Sequence, residues 1–85
     1  MKIVYKYKIS IFDDTLIWLP KGAEVLHADT QDDDIYIWAL INPENKSEGR
    51  TFTVYGTGHE IHENVKYITT FFHGRYVWHV FEVLG

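Results

Sequence analysis

The residues best suited to chemistry lie in one short glycine-rich segment, Tyr55-Gly56-Thr57-Gly58-His59. Two glycines around a small hydroxyl residue let backbone N–H groups turn toward an anion, as in a phosphate-binding nest. The segment lacks the lysine and the following helix of a P-loop, and it does not have the spacing of the dinucleotide-binding fingerprint. Two interpretations stay open: a phosphate-binding turn, and a bulged exit from a strand.

Aromatic and basic side chains elsewhere in the chain would complete a site for a phosphorylated ligand. Trp38 and Trp78 lie in predicted strands whose opposite faces are also apolar, so each indole either packs in the core or stacks on a base. Arg50 and Arg75 each begin a predicted strand, where a guanidinium either lies on the surface or binds phosphate through paired hydrogen bonds. The predicted ligand-binding residues are Trp38, Arg50, Gly56, Thr57, Gly58, His59, Trp78 and His79.

The sequence offers no recognisable catalytic or metal-binding constellation. His59 and His62 are three residues apart and lie between predicted strands, whereas the zinc-protease pattern needs two histidines four apart on a helix. Residues 59–63 are therefore interpreted as a solvated polar loop. Ser10 and Ser47 lack a nucleophile elbow, cysteine is absent, and the acidic residues cluster in turns. We expect neither an enzyme nor a bound metal or cofactor.

The elements that must position these residues are strands. The alternation of apolar and polar residues predicts a compact antiparallel all-β domain over residues 1–85, as a meander, small barrel or sandwich of six to seven strands. Residues 35–41 are apolar on both faces, which indicates a central strand buried on both sides. Residues 2–11 alternate with lysines, which is typical of an edge strand. The predicted strands are 2–11, 15–19, 24–30, 35–41, 50–55, 65–72 and 75–83.

Turn residues separate the predicted strands. Pro20-Lys21-Gly22 predicts a turn before the third strand, and His73-Gly74 predicts a tight hairpin between the last two. A single helical turn near residues 60–64 is the one helical element that the sequence allows. His79 lies in the last strand on the same face as Phe81, and its structural interpretation is a hydrogen-bonded core side chain.

The composition and charge of the chain restrict the kinds of partner that we expect it to bind. Net charge is −4 and no basic stripe stands out, so we do not expect binding to duplex nucleic acid. Neither a signal-peptide core nor a transmembrane run is present, and cysteine is absent, so we expect a cytoplasmic protein that does not engage a membrane. With 85 residues, apolar burial barely offsets the conformational entropy lost on folding, so we expect a homo-oligomer.

Five short motifs occur in order along the chain: Trp38-Ala39-Leu40, Asn42-Pro43, Arg50-Thr51-Phe52, Gly56-Thr57-Gly58-His59 and His79-Val80-Phe81-Glu82. With this combination, nearly the whole chain resembles a family of small phage-encoded proteins usually described as hypothetical. Members of that family tend to carry proline after the GTGH histidine, whereas Glu60 stands here. The resemblance implies a setting and no assigned activity: the cytoplasm of a host bacterium, in which small phage proteins act by stoichiometric binding.

Two functions are compatible with the residues and with that setting. The first is a non-enzymatic protein that sequesters a small phosphorylated ligand, such as a nucleotide signal of bacterial immunity. The second is an inhibitor that binds a host defence or regulatory protein, with acidic clusters at 32–34 and 60–63 imitating nucleic acid. A concave pocket with Trp38 and Arg50 would favour the first function, and exposed acids on a convex face would favour the second.

Overall fold

A computed structural model describes residues 1–62 and 64–85, which form seven strands and no helix. The prediction of an antiparallel all-β fold is confirmed, in the form of a two-sheet sandwich rather than a closed barrel. At the predicted helical turn, residues 60–62 and 64 are not helical, and Glu63 lies outside the described residues. The strands are β1 (Ile3–Ile9), β2 (Thr15–Pro20), β3 (Glu24–Gln31), β4 (Asp34–Ile41), β5 (Ser47–Gly56), β6 (Val65–His73) and β7 (Tyr76–Val83).

The strand order divides the chain into two layers. One sheet has the order β1-β4-β3 and the other the order β2-β5-β7-β6, with every pair antiparallel. Only β3–β4 and β6–β7 are hairpins of consecutive, paired strands, and the chain changes sheet after β1, β2 and β4. Because β5 and β6 are both antiparallel to β7, they run parallel to each other, so the end of β5 at Gly56 and the start of β6 at Val65 lie at opposite ends of the sheet.

The core lies between the two sheets and follows the period of two that strands impose on side chains. Its largest fully buried side chains come from both sheets: Leu19, Ile37, Phe52 and Val80. In β4 the inward residues, such as Ile37 and Ala39, are buried, whereas the outward residues Tyr36 and Trp38 are only half-buried. The prediction that β4 is central in its sheet is confirmed, but burial on both sides is wrong, because no second layer covers its outer face within the described chain.

Strand edges and turns fall close to their predicted places. β1 is an edge strand, as its lysines predict. Gly22 has φ +81°, which is the left-handed conformation that the turn after β2 requires. The last hairpin is displaced by one residue from the prediction, because His73 pairs with Tyr76 and the two-residue turn is Gly74-Arg75. This displacement moves Arg75 out of β7 and into the turn.

Candidate functional site

The segment Gly56–His59 forms a tight turn where β5 ends. The N–H of His59 donates to the carbonyl oxygen of Gly56 at 3.1 Å, which closes a four-residue turn. Gly58, at the third position, has φ +90°, and Thr57 has no positive φ, which is the pattern of a type II turn. No atom lies within 4 Å of the position that a Cβ on Gly58 would occupy, so the space over the turn is open.

The ring of His59 folds back over Gly56. The N–H of Gly56 donates to Nδ1 of His59 at 3.2 Å, and a Cβ on Gly56 would lie 3.0 Å from the Cε1 atom of the same ring. Because Nδ1 accepts this hydrogen bond, the neutral ring carries its proton on Nε2. In the described part of the chain this Nε2 has no hydrogen-bond partner, so it can donate to a ligand.

Aromatic rings from β7 form the wall beside this turn. Trp78 is paired with Gly56, and its Cζ3 atom would lie 3.3 Å from a Cβ on that glycine. The ring of Tyr76, two residues earlier on the same face, lies 6.1 Å from the Trp78 ring at an interplanar angle of 31°. Tyr76 is exposed, whereas Trp78 also packs against the core, and its buried Nε1 has no hydrogen-bond partner among the described residues.

His79 connects the turn to the neighbouring strand from the outer face of the sheet. Its Nε2 lies 2.9 Å from the Thr57 hydroxyl, and its Nδ1 lies 2.9 Å from the Thr70 hydroxyl, which in turn lies 2.8 Å from the Tyr67 hydroxyl. The sequence predicted a hydrogen-bonded His79 in the core, and the ring is hydrogen-bonded. Its predicted place in the core is wrong, because the odd-numbered residues of β7, such as Phe81, lie on the outer face of the sheet. His79 therefore positions Thr57.

Turn and wall enclose an open cleft of about 390 Å³. Among the residues that the structure describes, its lining contains one guanidinium, that of Arg75, and no carboxylate. Arg75 is exposed and forms no ion pair with the carboxylates that the structure describes. Four other clefts in the described chain each include at least one carboxylate. The described residues that line the cleft beside Gly56 are Gly56, Thr57, His59, Arg75, Tyr76, Val77 and Trp78.

Arg50 is not part of this cleft. Its Nε and Nη2 atoms donate to the two carboxylate oxygens of Glu82 at 2.7 and 2.8 Å, and Nη1 donates to the carbonyl oxygen of Ala23 at 2.6 Å. Hydrogen bonding to Glu82 raises the pKa of the Arg50 guanidinium above its ordinary value. Six residues separate Arg50 from Gly56 along β5, or roughly 20 Å at the rise of a strand. The guanidinium joins β5, β7 and the turn before β3.

Trp38 is also separated from the turn, because it lies in the other sheet. It occupies the outer face of β4 beside Tyr36, at a ring-to-ring distance of 6.1 Å. The structure thus brings together six of the eight predicted ligand-binding residues, Gly56, Thr57, Gly58, His59, Trp78 and His79, and leaves Trp38 and Arg50 outside. Sequence reasoning missed Tyr76, whose signal was its position two residues before Trp78 on the same face of one strand.

Acidic residues gather at the same end of the sandwich as the cleft. Asp13 and Asp14 follow β1, and Asp32 and Asp33 form the β3–β4 turn, all of them exposed. Glu60 is exposed too, and Asp34 is paired with Lys8 at 3.2 Å. Within the described residues no group of three or more potential ligands could hold a metal ion. No helix among them is suited to cross a membrane.

Comparison with known protein families found a match for this chain. The model of a family described as "Domain of unknown function (DUF7352)" matches residues 1–84. The chain belongs to this family. No curated protein matches the chain, and no solved structure matches it. Membership therefore comes without an activity, and the geometry of the cleft is what bears on function.

Proposed function

We propose that the protein is a non-enzymatic binding protein that takes a small ligand composed of a flat aromatic ring and a phosphate group, the chemistry of a nucleotide, in the cleft beside Gly56. The observation that carries the proposal is the lining of that cleft. Among the described residues it combines exposed aromatic surface, a glycine turn and a guanidinium without an ion pair, and it includes no carboxylate that would repel an anion.

Each group in the cleft has a distinct role in this proposal. Arg75 binds the phosphate oxygens through paired N–H groups, and the Nε2–H of His59 adds a third donor. The exposed ring of Tyr76 stacks on the base, supported from behind by Trp78. Stacking contributes about 1–3 kcal/mol and a charge-assisted hydrogen bond about 1.5–3 kcal/mol, so removing either group should weaken binding measurably.

The charge of the molecule limits which phosphorylated ligands fit. Net charge is −4, and Asp32 and Asp33 are exposed at the same end of the sandwich as the cleft. A triphosphate would meet their repulsion with one arginine to offset it, whereas a single phosphate group brings less negative charge into the cleft. The proposed ligand class is therefore a nucleoside monophosphate or a cyclic nucleotide. In the phage setting that the sequence resemblance implies, the role would be to sequester a nucleotide signal of bacterial immunity.

Titration calorimetry of the intact protein tests this function with four probes: adenosine monophosphate, adenosine, inorganic phosphate and adenosine triphosphate. We expect the monophosphate to bind more tightly than adenosine or phosphate, since only it engages both the ring wall and Arg75. We expect the triphosphate to bind more weakly than the monophosphate. Equal affinities for all four probes, or no binding at millimolar concentrations, would contradict the proposal.

A second candidate function rests on the acidic end of the sandwich, where Asp13, Asp14, Asp32, Asp33 and Glu60 are exposed. Such a cluster fits a basic surface of a host defence or regulatory protein, as the imitation of nucleic acid would require. The two functions differ in their dependence on Arg75. Replacing Arg75 by alanine removes the charge that holds a phosphate, whereas the same change leaves the end more acidic and strengthens binding to a basic protein.

A further inference from the structure

β2 differs from the other three edge strands of the sandwich. β1 carries Lys6 and Lys8, and β3 carries charged residues and a bulge between Val25 and His27. β6 has Lys66 and an irregularity between Tyr67 and Thr69. Charges and bulges are the features by which native edge strands resist pairing with another chain. β2 has neither: it carries no charged side chain and pairs with β5 in unbroken register.

The outer face of β2 presents apolar side chains to solvent. Leu16 is 56% exposed and Trp18 is 64% exposed. The Trp18 ring lies over Gly49 of β5, where a Cβ would be 3.4 Å from the ring, so the indole is held against its own sheet. From Thr15 to Leu19 the free edge of β2 is therefore an uncharged strand whose outward side chains are held in place, and Pro20 ends it.

We infer that the free edge of β2 is the docking site of a second copy of this chain, through antiparallel β2–β2 pairing across a two-fold axis at Ile17. Side chains directly opposite each other in an antiparallel pair lie on the same face of the sheet. An axis at Ile17 therefore places Leu16 of each copy opposite Trp18 of the other on the outer face. The two four-stranded sheets become one continuous eight-stranded sheet. Such a two-fold contact is closed and does not propagate into a filament.

Charges just outside β2 favour this occupant. Asp13 precedes β2 and Lys21 follows it, so antiparallel pairing brings the end of one β2 that carries Asp13 near the end of the other that carries Lys21, on both sides of the axis. Both residues are exposed, and neither forms an ion pair within the described chain. The sequence around β2 is therefore complementary to itself: apolar where the strands pair, and of opposite sign where they end.

The test is sedimentation equilibrium of the intact protein over a range of concentrations. We expect a dimer, and we expect Leu16→Lys to weaken it roughly two-fold to thirty-fold, because the change removes both apolar cross-strand pairs between Leu16 and Trp18. The matched control is Val4→Lys, since Val4 is 51% exposed and lies on the outer face of the edge strand β1. This control leaves the dimer unchanged. Thermal melting of both variants verifies that they fold.

A charge exchange tests the antiparallel arrangement of the two β2 strands. Asp13→Lys and Lys21→Asp lie outside the strand on exposed residues, and each is expected to weaken the dimer roughly three-fold to thirty-fold. The double variant restores the charge pairs and therefore the dimer. Hydrogen exchange should also slow at the β2 amides as concentration rises. A wild type that stays monomeric at high micromolar concentration would overturn the inference. So would a double variant that does not recover the dimer, or β2 amides whose exchange slows only when another peptide is added.

Discussion

The two arginines of the four-stranded sheet lie at its opposite ends and in opposite circumstances. Arg50 is bound on three sides, by both oxygens of Glu82 and by the carbonyl oxygen of Ala23, and its side chain is 18% exposed. Arg75 is exposed in the turn before β7 and has no ion pair within the described chain. The same side chain is thus a structural link at one end and, in the proposed function, an anion-binding group at the other. The difference lies in the partners that each guanidinium has.

Replacing each arginine by alanine should show the difference in stability between the two ends most clearly. Arg50→Ala leaves the Glu82 carboxylate, 12% exposed, without its partner, so we expect the free energy of unfolding to fall by about 3 kcal/mol. Arg75→Ala removes an exposed side chain, so we expect a change below about 0.5 kcal/mol. Urea denaturation of both variants measures the contrast. Equal losses would show that Arg50 has no structural role beyond that of Arg75.

Ligand binding should respond in the opposite sense. Because a charge-assisted hydrogen bond contributes about 1.5–3 kcal/mol, Arg75→Ala should weaken adenosine monophosphate binding about ten-fold to a hundred-fold. The matched control is Arg50→Lys, which keeps the charge at the structural end and should leave the affinity unchanged in the folded protein. Calorimetry gives both values. A loss of affinity in the Arg50 variant alone would move the site to the other end of the sheet.

The sequence indicated where the strands and the glycine turn lie, because both depend on local properties. Alternation placed β1 to β7, and the two glycines marked a turn in which Gly58 does adopt a positive φ. The sequence could not distinguish the roles of Arg50 and Arg75, since both were predicted to begin strands. The partner of Arg50 is Glu82, which is 32 residues away in sequence and comes close only through the β5–β7 pairing.

Strand order also determines where Trp38 and Trp78 lie. Trp38 and Trp78 have similar sequence surroundings, yet β4 and β7 belong to different sheets, and no local pattern gives that assignment. The edge position of β2 was hidden for the same reason, because an apolar segment such as residues 15–20 is also typical of a strand inside a sheet. What the sequence left undetermined is therefore the long-range pairing of strands.

The smallest expected effect distinguishes the two glycines of the turn. Gly56→Ala brings a Cβ to 3.0 Å from the His59 ring and 3.3 Å from Trp78, so we expect a loss of about 1–2 kcal/mol in stability together with weaker ligand binding. Gly58→Ala meets no neighbour but takes a positive φ, so we expect a loss of about 1 kcal/mol with the affinity retained. Thermal melting and calorimetry on both variants check this. Retained affinity in Gly56→Ala would show that the His59 ring does not contribute.

The most direct test of the ligand site follows the glycine amide signals by nuclear magnetic resonance during titration with adenosine monophosphate. Gly56 and Gly58 lie in the turn beside the cleft, and Gly74 precedes Arg75, whereas Gly22 and Gly49 are remote from it. The account predicts that the first three signals shift with one common dissociation constant and that the other two stay in place. Signals that do not move at millimolar nucleotide, or a shift of Gly49 without Gly56, would contradict it.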